Sequence, residues 1–172
     1  MKRNVTLCFL SLAIAVLSTL LGCAPAALLR SVDPSARQLP GTVLAFDYLF
    51  DTSDSFIKDS GCNLTIRNIE SHQKYLIEMP SSRKSVAVVI PTGSYELREY
   101  YCYQKAAWEF NDRPSIYVVE PGKINYGGAV NITRDPETRD LRWQYYTGID
   151  QTKSFWKSLS REDRARVVTA IK

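Results

Sequence analysis

The sequence has little of what enzymes and metal centres need. Its 172 residues include a single histidine, His72, and no Cys-x-x-Cys pair, so a tetrahedral zinc site would lack ligands. It has no Gly-x-Ser-x-Gly elbow, no glycine-rich phosphate loop and no His-Glu-x-x-His motif. Asp51 and Asp54 lie in a polar run without the alternating ligands and glycine of a calcium loop. We therefore expect no catalytic residues, no cofactor and no metal, with His72 in a solvent-exposed turn.

The sequence also lacks blocks of like charge. The chain carries 22 basic and 18 acidic residues, and no run of five or six equal charges occurs. Nucleic-acid-binding proteins usually show a concentrated basic patch. This composition argues against nucleic acid as a partner.

The N-terminus has the layout of a secretory signal. Lys2 and Arg3 precede a mostly apolar run from Val5 to Leu17, and small residues follow. The tetrapeptide Leu20-Leu21-Gly22-Cys23 resembles the lipobox of bacterial lipoproteins. That resemblance implies cleavage of residues 1–22, a diacylglycerol on Cys23 and attachment to a membrane. Ala24, in place of the aspartate typical of inner-membrane retention, implies the outer membrane, with the domain facing the periplasm.

An uncleaved anchor helix is the alternative for this segment. The run Val5–Leu21 has 17 residues, at the lower limit for crossing a bilayer. Cleavage would remove Lys2, Arg3 and Cys8, so the mature chain would have 20 basic and 18 acidic residues, a net charge of +2.

The cysteines then predict one disulfide. With Cys8 in the signal and Cys23 lipidated, Cys62 and Cys102 remain, and two cysteines in an oxidising compartment most simply pair. A reactive or metal-binding cysteine is the alternative. Closing a loop of about 40 residues would stabilise the fold by roughly 4 kcal/mol in the chain-entropy model.

The mature chain divides into three parts. Residues 23–40 carry Pro, Ala and Ser without a period and predict a lipidated tether. Residues 41–149 contain about eight short runs with β character, separated by turn residues, and predict a mainly β fold: an antiparallel β-sandwich of about seven to eight strands. Residues 150–172 predict a short C-terminal helical segment, with Ser160 as N-cap and an apolar stripe of Val167, Val168 and Ile171.

One strand carries a further signal. In residues 123–133, Ile124, Tyr126, Val130 and Ile132 are expected on one face, and the central Gly127-Gly128 pair predicts a bulge. The turns Pro91-Thr92-Gly93-Ser94-Tyr95 and Pro121-Gly122-Lys123 resemble those of small bacterial lipoproteins with a transthyretin-like or carboxypeptidase-regulatory-like sandwich. This resemblance covers residues 84–134 and implies a fold without an active site.

Aromatic residues supply the remaining hypothesis. Groups around residues 100–110 and 143–146 contain more rings than one face of a sheet holds. We expect a binding surface that includes Tyr100, Trp108, Trp143 and Tyr146, unless most of these rings fill the core. The sequence thus predicts a lipid-anchored, non-catalytic envelope protein that binds an unknown envelope partner; the alternative is a lipoprotein that binds glycan or peptidoglycan through exposed Tyr and Trp side chains.

Overall fold

The computed structural model describes residues 25–33, 35, 39–50, 61–102, 106–109, 116–135, 137–138, 141–149 and 153–171, with backbone alone for 106–109, 134 and 141–143. The expected signal peptide and Cys23 lie outside these ranges, as do the loop residues Asp51 and Asp54. No helix within the described ranges has the length and apolar character needed to cross a membrane.

The described chain is mainly β, with two short helices near its C-terminal end. In chain order, the elements are β1 (Ala27–Leu28), β2 (Ser31–Val32), β3 (Val43–Phe50), β4 (Cys62–Asn68), β5 (Lys74–Met79), β6 (Ser85–Val89), β7 (Gly93–Cys102), β8 (Ala106–Glu109), β9 (Ile116–Val119), β10 (Ile124–Arg134), β11 (Leu141–Tyr146), α1 (Ser154–Ser158), α2 (Arg161–Arg164) and β12 (Val167–Thr169). These elements confirm the mainly β fold with a short C-terminal helix.

The strands form two sheets that pack face to face. Sheet A has the order β1-β5-β4-β7-β8, with β9 also on β7; sheet B has the order β11-β10-β3-β6-β2, with β12 also on β10. Phe46 of sheet B meets Tyr117 of sheet A edge-to-face, with ring centroids 5.5 Å apart. Burial of such apolar side chains from both inner faces is the main stabilising contribution to a sandwich of this kind.

Pairing is mixed rather than wholly antiparallel, which corrects one detail of the expected sandwich. β3 and β12 each run parallel to β10, and β1 runs parallel to β5. These partners are distant in sequence, so no hairpin fixes their relative direction. Hairpin neighbours such as β4 and β5 are antiparallel, as expected.

One half of sheet B is buried on both faces because α1 covers that part of its outer side. Phe155 and Leu159 pack there on Val43 and Ala45. The ring of Tyr126 stacks on Phe155 with centroids 5.9 Å apart. The C-terminal segment is therefore a third layer over one half of the sheet.

A bulge in β10 reverses its alternation. The register with β3 shifts between Tyr126 and Ala129, as the Gly127-Gly128 pair predicted. Ile124 and Tyr126 consequently face α1, whereas Val130 and Ile132 face the sandwich interior. The expectation that all four share a face was wrong, because one extra residue inverts the pleat. A side chain at Gly127 would overlap the Phe46 ring.

Residues 27–32, called here the N-terminal strap, join one side of the sandwich. β1 extends sheet A beside β5, and β2 extends sheet B beside β6. Leu29 packs against the interior between them, and its N–H donates to the Leu76 carbonyl at 3.0 Å. This part of the expected tether is thus bound to the domain, because backbone groups of two sheet edges were available to it.

Residues 167–171, called here the C-terminal clasp, join the opposite side. β12 pairs with β10 of sheet B, and Ile171 bridges to Tyr117 of sheet A. The expected helical stripe of Val167, Val168 and Ile171 was therefore wrong. Ser160 does cap α2 by accepting from the Asp163 N–H at 3.1 Å, but that helix ends at Arg164. The β10 edge was free to pair, and this pairing prevailed over the weak helical pattern.

Candidate functional site

A cavity of about 320 Å³ opens on the outer face of sheet B where α1 stops covering it. Two rows of paired residues form its floor. Tyr146, Ala129 and Asp47 lie side by side across β11, β10 and β3, and in the next row Asn131 and Leu49 line the cavity, whereas their neighbour Gln144 does not. Paired residues of one row share a sheet face. The small side chain of Ala129 between Tyr146 and Asp47 leaves the depression.

Asp47 fixes the end of the cavity nearest α1. Asp47 is 3% exposed, and its Oδ1 accepts from the Phe155 N–H while Oδ2 accepts from the Tyr126 hydroxyl, both at 2.9 Å. A buried carboxylate requires such donors to offset its lost hydration. The Asp47 side chain therefore positions the first turn of α1 over the sheet.

Two apolar side chains remain accessible in the cavity. Leu49 is 55% exposed and Tyr146 is 51% exposed, among the largest exposures of big hydrophobic residues in the described ranges. The Tyr146 hydroxyl donates to Gln144 Oε1 at 2.9 Å, which orients the ring along the strand. A ring with an accessible face beside a leucine can stack on a sugar or pack on an apolar side chain.

Charge on the cavity wall is positive. The exposed side chains of Lys84 and Lys153 line the cavity, and so does Asn131 of β10. Both oxygens of Asp47 already accept hydrogen bonds, so the ammonium groups are the charges presented to a ligand. The arrangement suits a ligand with one flat or apolar surface and an anionic or hydroxyl-rich portion. No group of three His, Cys, Asp or Glu side chains able to hold a metal occurs among the residues described here.

Of the four aromatic residues expected at a binding surface, Tyr146 lies in the cavity. Tyr100 does not, because it is 2% exposed and belongs to the sandwich interior, where burial raises the pKa of its hydroxyl. The register of β7 with β4 shifts at Arg98, so the pleat reverses and Tyr100 turns inward with Cys102. The side chains of Trp108 and Trp143 lie outside the described part of the structure.

The predicted disulfide is confirmed. Cys62 and Cys102 are bonded across the paired strands β4 and β7, and both are buried. His72 is exposed in the turn before β5 with φ 58°, as expected for a turn residue. It lies on sheet A and takes no part in the cavity.

Sequence reasoning missed most of the cavity. Leu49, Lys84, Asn131 and Lys153 come from four separate segments, and their meeting depends on the order of strands in sheet B. One signal was present: in residues 43–50 the interior positions alternate, which assigns Leu49 to the outer face. Nothing local to the sequence indicated that α1 would leave that position uncovered.

Comparison with known proteins gives no family for this chain. No family model matches the sequence, and no curated protein matches it. The crystal structure of a leucine-rich repeat protein from Bacteroides thetaiotaomicron is similar to 55% of this chain, at 14% sequence identity and a TM-score of 0.33, over 14% of its own length. A similarity at that TM-score carries no argument about fold or function.

Proposed function

We propose that this chain is a bacterial envelope lipoprotein, anchored by lipid on Cys23, whose sandwich is a non-catalytic interaction module. The Cys62–Cys102 disulfide carries the proposal, because structural disulfides persist in exported proteins and are rare in the cytosol. The Leu20-Leu21-Gly22-Cys23 motif adds the anchor. Two or three acyl chains, at about 0.8 kcal/mol for each buried methylene, give stable membrane attachment.

The interaction surface in this proposal is the cavity on sheet B. Leu49 and Tyr146 expose apolar area there, beside the ammonium groups of Lys84 and Lys153. Exposed apolar side chains with a polar rim are a common feature of partner-binding sites. The partner is an envelope protein or, as the second candidate, a glycan such as peptidoglycan.

Metabolic labelling with an alkyne fatty acid tests the anchor. We expect label on the wild-type chain and on Cys8→Ala, since Cys8 leaves with the signal, and none on Cys23→Ala. Fractionation should place the labelled protein in the outer membrane. Label that persists in Cys23→Ala, or is absent from all three proteins, would exclude the lipoprotein assignment.

The glycan candidate rests on the accessible ring of Tyr146. If this ring stacks on sugar, Tyr146→Ala should weaken retention on isolated peptidoglycan by about tenfold, since stacking on one ring contributes roughly 1.4 kcal/mol. Tyr146→Phe keeps the ring and should retain binding. Equal retention of wild type and Tyr146→Ala would leave a protein partner as the better explanation of the cavity.

A further inference from the structure

The N-terminal strap exposes one hydrophobic side chain beside the expected anchor. Leu28 is 59% exposed, whereas its neighbour Leu29 packs against the sandwich interior. Strand alternation explains this difference, because consecutive side chains point to opposite sides. Leu28 is thus held outward by the pairing of β1 with β5, in register with Leu76.

The strap leaves little free chain between Cys23 and the domain. Ala27 is the first residue of β1, four residues after Cys23. Four residues span at most about 14 Å when fully extended. If Cys23 carries lipid, as in the function proposed above, the strap side of the sandwich must stay close to the bilayer surface.

Charge on this side favours such an approach. Six exposed charged residues lie on this side of the sandwich. They belong to the strap, to the position just after it, to β5 and to the turn before β6: Arg30, Asp33, Lys74, Glu78, Arg83 and Lys84. Four basic and two acidic residues give this edge a net charge of +2. Bilayers that contain anionic phospholipids attract a basic surface by about 1 kcal/mol for each Lys or Arg close to the headgroups.

From these three observations, we propose that the strap edge of the sandwich lies on the bilayer that holds the lipid of Cys23, with Leu28 at the headgroup boundary. This proposal rests on the proposed function. It assigns a membrane-contacting edge to β1, β2 and their neighbours. It also leaves the opposite edge, with β9 and the clasp, facing away from the membrane.

Depth-dependent quenching tests the orientation. Each lipidated full-length variant carries an environment-sensitive fluorophore on one new cysteine and is reconstituted into phosphatidylethanolamine–phosphatidylglycerol vesicles with brominated acyl chains. Leu28→Cys is the test site, and Ile116→Cys is its matched control. Ile116 is 40% exposed and begins β9 on the far edge of sheet A. Pro25→Cys, two residues from Cys23, reports successful anchoring.

We expect quenching at Leu28→Cys to approach that at Pro25→Cys and to exceed that at Ile116→Cys roughly threefold, because four strand spacings separate the two edges by about 19 Å. Unchanged urea midpoints would verify that the variants fold. Strong quenching at Pro25→Cys with equal, weak quenching at the other two sites would overturn the orientation and leave the anchor intact. Absence of lipid label on Cys23 would overturn both.

Discussion

The two ends of the described chain both join the two sheets, but they differ in how much of each end is buried. The strap and the clasp each cross from one sheet to the other, on opposite sides of the sandwich. The clasp is bound through a buried residue: Ala170 is 1% exposed, its N–H donates to the Tyr126 carbonyl of sheet B at 2.9 Å, and its carbonyl accepts from the Val118 N–H of sheet A at 2.7 Å. The strap is mostly exposed, and Leu29 is its main inward contact.

A network of polar side chains adds to this difference. Asp163, which is fully buried, accepts from the Leu39 N–H at 3.1 Å and pairs with Arg166 at 2.9 Å. Arg166 also donates to the carbonyls of Leu39, Gly41 and Gly122. Asp163 and Arg166 therefore connect the chain just before the clasp to the segment preceding β3 and to the turn before β10. Local opening is expected to start at the strap, because few buried contacts hold it.

The disulfide joins β4 and β7, which lie between the strap edge and β9 in sheet A. Its removal should therefore lower the stability of the whole domain, including both ends. Replacing Cys62 and Cys102 together by alanine removes a crosslink between residues 40 apart in sequence. We expect the free energy of unfolding in urea to fall by about 4 kcal/mol. The single variant Cys102→Ala should lose a similar amount. A loss confined to the amide protection of β4 and β7, with no change in global stability, would contradict this expectation.

Asp163→Ala should damage the clasp without releasing the strap. Arg166 would lose its carboxylate partner and the Leu39 N–H its acceptor, at a cost of about 3 kcal/mol. Hydrogen exchange should accelerate at Val118 and Ala170 and stay unchanged at Leu29. Glu162→Ala, at the exposed neighbouring position, is the control and should change stability by less than about 0.5 kcal/mol. Equal effects of the two substitutions would exclude a structural role for the network.

Alkaline pH should also act on the clasp side. Tyr117, which bridges to Ile171, is fully buried, and burial raises the pKa of its hydroxyl above the ordinary value of 10.0. The unfolded chain releases this proton first, so stability is complete below pH 10 and falls above it. Tyr117 alone contributes an expected loss of about 1.4 kcal/mol for each pH unit above 10, and other buried tyrosines with raised pKa values, such as Tyr100 and Tyr145, add to it. Tyr117→Phe should flatten this part of the urea-midpoint profile; an unchanged slope would assign the loss to other groups.

The sequence predicted the long strands well because each has enough residues to show a period. The strap, with two residues in each strand, shows none, and β12 has three. Their conformation depends on sheet edges supplied by segments far away along the chain, which no local pattern contains. The clasp was even assigned the wrong structure, since Val167, Val168 and Ile171 fit a helical stripe equally well.

Bulges show the same limit at single residues. The bulge in β10 was predictable from Gly127-Gly128, because glycine accepts the positive φ and the close approach found there. No glycine near Arg98 indicates the register shift in β7, and Tyr100 was consequently expected on the surface. Predicting the cavity would have required the order of the strands in sheet B. The parallel pairing of β3 and β10 brings Asp47 beside Ala129, and no spacing in the sequence encodes that contact.

The smallest expected effect tests the strap itself. Leu29→Ala removes a partly buried side chain that packs on the interior, so the free energy of unfolding should fall by about 1 kcal/mol, less than for a fully buried leucine. Leu28→Ala is the matched control; its side chain is 59% exposed, and stability in the absence of membrane should stay within about 0.5 kcal/mol of wild type. Urea unfolding of both variants checks this ranking. Equal losses would mean that Leu28 also packs on the domain. The proposed membrane-facing edge would then lose its support, because it depends on Leu28 pointing outward while Leu29 points inward. A Leu29→Ala loss as large as that of Asp163→Ala would instead make the strap as strongly bound as the clasp.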